Sequence, residues 1–182
     1  FESALSYYGM FDQLTDKVIS ISQTRYKTAQ LNAAKYSFVT VQEKWFFGWQ
    51  EVIIDTQTVR IATAEKALID MIQFHKSKYS VDMVIEKLRL HQENVDTGKL
   101  DDYLSKMSAS TIKIFGILYD FLGIDASRLY ELIKDKLSDE EFKAAIGVLK
   151  RKAMIELKNG RIILSANNHD VSKKLPEEIF IE

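Results

Sequence analysis

At Thr63 the hydrophobic period of the chain changes, and this limits the fold more than any other feature of the sequence. Before it, VISISQ (Val18 to Gln23), Tyr36 to Val41, EVIID (Glu51 to Asp55) and TVRIA (Thr58 to Ala62) alternate apolar and polar residues, the pattern of half-buried strands. After it, Ala67, Leu68, Met71, Ile72 and His75 recur at helical spacing. Thr63 suits the N-cap of that helix, and Glu65 falls in the first turn, where the helix dipole favours a negative charge. Further helices are expected at Val81 to His91, Lys99 to Met107, Ser110 to Leu122, Ala126 to Lys136 and Asp139 to Lys152. A short helix at Glu2 to Tyr8, closed by a left-handed Gly9, precedes the strands. The first two strands are expected to pair across the polar loop TRYKTAQLNAAK, and EVIID with TVRIA as a hairpin turning at Thr56 and Gln57.

The expected fold is therefore α/β of the α+β kind: a small, mostly antiparallel sheet with flanking helices, then a helical half. Residues 1–107 form one module and residues 108–182 a second. The second ends in three short helices followed by MIELKNGRIIL, where Asn159-Gly160 signals a tight hairpin. Three helices and a two-stranded wing is the order of a winged helix, and Phe142, Ala145, Ile146, Leu149 and Ala153 give the third helix a buried stripe.

Composition removes several classes of function. With no cysteine, disulfides, thiolate metal sites and thiol nucleophiles are excluded, and a reducing cytoplasm suits the chain. No apolar run approaches the roughly 20 residues that span a bilayer, so no membrane partner is expected. The net charge of −1 conceals a locally basic stretch from Lys143 to Lys174, where Lys143, Lys150, Arg151, Lys152, Lys158, Arg161, Lys173 and Lys174 face only Glu156 and Asp170. The chain also opens at Phe1 on what reads as a helix already under way, so a preceding segment is expected.

Four segments in order, FESALSYYGM, KWFFGWQEV, VRIATAEKALIDMI and LDDYLSKMSASTIKIFGILYDFLG, resemble the AbiEi family, the antitoxins and transcriptional regulators of type IV toxin–antitoxin systems. The family's body carries ESALSYYG, FFG, ATPEKALLD and a final helix ending in LG. Here Ala64 stands where the family often has Pro, and this body is less basic. The resemblance covers about residues 1–123, and its motif residues here are Phe46, Phe47, Gly48, Glu65, Lys66 and Asp70. It implies a non-enzymatic regulator that binds operator DNA through a winged helix upstream of the ESALSYYG segment and opposes a nucleotidyltransferase-like toxin without a stable complex.

The remaining candidates carry two readings each. Lys143, Lys150, Arg151 and Lys152 on the third helix of the tail, with Lys158, Asn159 and Arg161 at the wing, form a candidate DNA-binding set. Asp139, Glu140 and Glu141 at the start of that helix argue instead for a solvated or protein-docking face. Glu65, Lys66 and Asp70 form either a ligand or catalytic cluster or, as the favoured reading, leave Lys66 and Asp70, at i and i+4, as a helix-surface ion pair. Glu156 and Lys158 have the acidic-x-Lys spacing of metal-dependent nucleases, a remote alternative that lacks a second carboxylate nearer than Asp55. His75, His91 and His169 are scattered, so no metal, cofactor, catalytic group or small-molecule substrate is expected. The rings of Trp45, Phe46 and Phe47 are expected to alternate along a strand buried on both sides, rather than to form a stacking platform, because no basic residues are interleaved among them. DNA and a second copy of the chain are the candidate partners.

Overall fold

The computed structural model describes residues 1–12, 17–31, 34–75, 77–136 and 140, together with the strand backbones at 154–158, 161–165 and 178–180. The fold is α+β, with small sheets and flanking helices. Helix α1 (Glu2–Tyr7) leads into strands β1 (Lys17–Ser22), β2 (Ala29–Leu31) and β3 (Ala34–Thr40), and a 3-10 turn at Glu43–Trp45 precedes β4 (Trp49–Ile54) and β5 (Gln57–Ala62). Helices α2 (Ala64–His75), α3 (Lys78–Leu90), α4 (Thr97–Leu104), α5 (Ala109–Leu122) and α6 (Ser127–Lys136) follow. Gly9 has the expected positive φ of 69° after α1.

The strands pair as two small sheets, with orders β1-β3-β2 and β4-β5. The expected partnership of the first two strands is present but parallel, with Val18 opposite Tyr36 and Ile21 opposite Val39. Parallel neighbours ordinarily need a long crossover. Here β2 supplies the return: it runs antiparallel to β3, so the chain has only to cross one end of the sheet before coming back. The β4-β5 hairpin turns one residue earlier than the sequence suggests. Ile54 pairs with Gln57, and Asp55 and Thr56 form the turn with φ of 47° and 67°, the double positive φ of a type I′ turn whose twist matches the strands.

Helix α2 occupies the centre. It touches α1, α3, α4 and α5, and every residue from Ala64 to Ile72 is buried. Thr63 takes up the helix start as expected, its Oγ1 accepting from the Lys66 amide at 3.4 Å. Around α2 one apolar cluster runs from Leu5, Met10 and Phe11 through Ala67, Leu68, Met71 and Ile72 to Phe115, Tyr119, Leu129 and Ile133. Each large side chain so buried contributes about 2 kcal/mol. Ser108 caps α5 by accepting from the Thr111 amide, and its hydroxyl donates to Gln73 Oε1 at 2.7 Å, tying α5 to α2.

In the tail, β6 (Met154–Lys158) and β7 (Arg161–Ser165) form the expected antiparallel hairpin, Lys158 opposite Arg161, and β8 (Glu178–Phe180) adds a third strand beside β7. The expected third helix of the winged-helix-like unit lies outside the described residues. No helix among those described is long and apolar enough to cross a membrane.

Candidate functional site

The structure gathers five of the six motif residues around the buried start of α2. Lys66 and Asp70 are 0% and 1% exposed, and Lys66 Nζ donates to Asp70 Oδ1 at 2.5 Å. The expected surface ion pair is therefore wrong. The polar side of α2 is covered by the aromatic segment before β4, which the helical period of α2 could not reveal. Phe47 lies over the Lys66 ammonium at 4.9 Å, while Lys106 sits 4.8 Å from the same ring and Tyr103 meets it edge-on at 5.2 Å. Gly48 closes the contact: with φ of 75°, a Cβ there would stand 2.9 Å from Lys66 Cγ, so backbone and lysine stem touch with no space for a side chain.

This overturns the expected geometry of the aromatic run. Glu43–Trp45 is a 3-10 turn and Phe46–Gly48 is irregular, so the rings do not alternate across a strand. All three rings are half-buried. Trp45 and Phe47 pack against the core, and the Trp45 indole N–H donates to the Lys106 carbonyl at 3.2 Å. Cations are in fact interleaved in space: Lys44 lies 4.8 Å from the Trp45 ring and Arg60 4.2 Å from that of Trp49. Apart from Lys44, these cations are remote in sequence, so reading KWFFGW linearly could not find them.

Burial dominates the electrostatics of the pair. It pushes the Asp70 carboxyl up to about 6, against the opposing pull of the Lys66 ammonium. The same burial lowers Lys66, with Asp70 working against it. Glu65 is arranged differently. Burial acts to raise its carboxyl, but hydrogen bonds outweigh that and hold it below its ordinary range. Its oxygens accept from the Asp96 amide at 3.2 Å and sit 3.1 Å from Lys99 Nζ, joining the start of α2 to the start of α4.

Asp70 also forms part of the wall of a cleft of about 720 Å³ between α1, β1, the aromatic segment and the β4-β5 hairpin. Tyr7, Ile19, Ile21, Tyr36, Phe46 and Trp49 are among its lining residues. Ser3, in the same wall, has a hydroxyl oxygen that is buried without a hydrogen-bond partner among the described residues. At the wall, Arg60 is paired with Glu51 at 3.3 Å. No spacing in the sequence brings Ser3, Tyr36 and Arg60 together. The cleft is a product of tertiary packing.

Compared with known protein families, curated proteins and solved structures, the chain matches none.

The DNA-binding candidates stand apart from this site. Lys143, Lys150, Arg151, Lys152 and Asn159 lie outside the described residues, while the backbones of Lys158 and Arg161 face each other at the end of the β6-β7 hairpin. Of the histidines, His75 is partly buried edge-on to Phe1 at 5.1 Å, and burial lowers its basicity. His91 ends α3, and His169 lies outside the described residues. Among the described residues no three His, Asp or Glu side chains come together as a metal site.

Proposed function

We propose that this chain is the body of a non-enzymatic regulator of the AbiEi-like antitoxin kind, acting in the cytoplasm. The observation that supports the reading is the convergence of the four resembling segments on one core. Leu5 of the first packs in the same cluster as Ala67 and Leu68 of the third. Phe47 and Gly48 of the second cover Lys66, and Tyr103 and Lys106 of the fourth complete the cover over Phe47.

The decisive experiment uses the adjacent reading frame, where a nucleotidyltransferase-like product is expected. Co-expression of the chain should restore growth arrested by that product, without the two proteins co-purifying. A toxic product left unrelieved by the chain overturns the antitoxin reading.

DNA contact by the tail belongs to the same proposal, through Lys143, Lys150, Arg151, Lys152, Lys158, Asn159 and Arg161. Fluorescence anisotropy of a labelled duplex should then show affinity falling with salt at a logarithmic slope of about −0.9 per phosphate neutralised. Reversal of Lys150 and Arg151 to Glu should remove it. Binding that survives the reversal excludes this face.

A second reading, an interaction or self-association module, is favoured by the β4-β5 hairpin, which exposes Ile53 at 78% and Ile54 at 40%. Sedimentation of the parent and of Ile53→Lys distinguishes the two: a concentration-dependent dimer lost in the variant supports self-association, and a monomer in both rejects it.

A further inference from the structure

We propose that the cleft between α1, β1 and the β4-β5 hairpin binds a small neutral molecule with an aromatic body and an O–H or N–H donor, its rings against Phe46, Phe47 and Trp49 and its donor on Asp70. The volume of about 720 Å³ lies within the range of about 300–1,000 Å³ typical of small-molecule sites. Its composition is that of such a site too: a mostly apolar and aromatic wall with few polar groups, each in a defined place.

The polar groups define the ligand. Asp70 is 1% exposed, and Lys66 is the hydrogen-bond partner of its side chain among the described residues. A carboxylate offers about four lone-pair positions, so one ammonium leaves acceptor capacity in a place water scarcely reaches. Ser3, another residue of the cleft wall, has a hydroxyl oxygen that is likewise buried and has no partner among the described residues. An unmet buried polar group carries a desolvation cost that a donor from a ligand would remove.

Charge at the site argues for a neutral molecule. Lys66 balances Asp70 within, Glu2 pairs at 3.6 Å with the Phe1 ammonium that also acts on Asp70, and Glu51 balances Arg60 at the wall. A cationic ligand would bring a third, uncompensated charge to the Lys66–Asp70 pair, and a carboxylate would meet Asp70 as a like charge. The aromatic wall in turn favours a planar body, because offset and edge-on ring contacts add attraction beyond the burial of area.

This inference is independent of the antitoxin reading and is tested separately. The probes are 4-phenylphenol and 4-methoxybiphenyl, which share a biphenyl body and differ in one O–H donor. Each is titrated into the full chain and followed by amide and indole nuclear magnetic resonance signals. The phenol is expected to give saturable shifts confined to cleft residues such as Ile19, Tyr36, Ala62 and the Trp49 indole, with the methyl ether about tenfold weaker, as loss of one hydrogen bond to a carboxylate implies. Val59→Trp, which places a large ring in the cleft, should remove phenol binding while the circular dichroism spectrum is retained. If that variant fails to fold, the comparison of the two probes on the parent decides by itself. Absence of saturable shifts, shifts scattered away from the cleft, or equal affinity for the two probes would each overturn the proposal.

Discussion

Lys66 Nζ lies 2.5 Å from Asp70 Oδ1 with both side chains excluded from solvent, so each charge is compensated chiefly by the other. Removing one leaves the other buried and uncompensated. Lys66→Met or Asp70→Leu should therefore each destabilise the chain by about 3–5 kcal/mol, whereas the two combined should recover most of the loss. Urea unfolding of the four proteins as a double-mutant cycle measures this. Additive losses would mean that the two groups act separately.

The same pair sets a pH dependence. Burial lifts the Asp70 carboxyl from 3.8 to about 6, so between about pH 4 and pH 6 the folded chain holds a proton that the unfolded chain has released. Its contribution to stability accordingly grows as the pH falls through that window and levels off below it. Lys66 is lowered from 10.5, so its own effect lies at the alkaline end, where stability is gained as the pH rises toward that value. The Tm difference between the parent and the Lys66→Met/Asp70→Leu chain should move in the parent's favour from pH 7 to pH 4.5. A constant difference would remove the proposed burden on Asp70.

Two glycines in the left-handed region should respond unequally to alanine. At Gly9, with φ of 69°, nothing among the described residues lies within 4 Å of a new Cβ, so Gly9→Ala should cost only the backbone strain, about 1 kcal/mol. Gly48, with φ of 75°, faces the Lys66 stem at 2.9 Å, and Asp70 pins that lysine. Gly48→Ala should cost at least about twice as much as Gly9→Ala. Equal losses in Tm would show that the lysine gives way freely.

Phe46 and Phe47, equivalent in the sequence, should separate on mutation. Phe47 packs on the core, the Lys66 ammonium and Tyr103, while Phe46 lies at the cleft outside the core cluster. Phe47→Ala is expected to cost about 3 kcal/mol and Phe46→Ala less than half of that. Chemical denaturation ranks the two, and the reverse order contradicts the packing described.

Thr56 offers a stabilising substitution. A β-branched residue at φ 67° is strained, and Asp-Gly is the favoured pair for a type I′ turn. Thr56→Gly should raise Tm by about 2–4 °C, measured by calorimetry. No change or a loss would mean that the hydroxyl, which donates to the Asp55 carbonyl, offsets the strain.

The sequence alone determined the local elements. The switch of period at Thr63 marks where β5 ends and α2 begins, Gly9 turns in the left-handed region, and Asn159-Gly160 separates two antiparallel strands. Side-chain periodicity, capping and turn chemistry act over a few neighbouring residues, so a linear reading finds them. Tertiary structure decided what those rules do not reach: that β1 and β3 run parallel because β2 brings the chain back, that α2 is enclosed on its polar side, and that Lys66 and Asp70 are thereby buried. It also decided that Lys106 meets Phe47 and that Ser3 and Asp70 share the wall of one cleft. Burial and partnership depend on which distant segments cover a face, and an i, i+4 spacing is the same whether the face meets water or an aromatic ring.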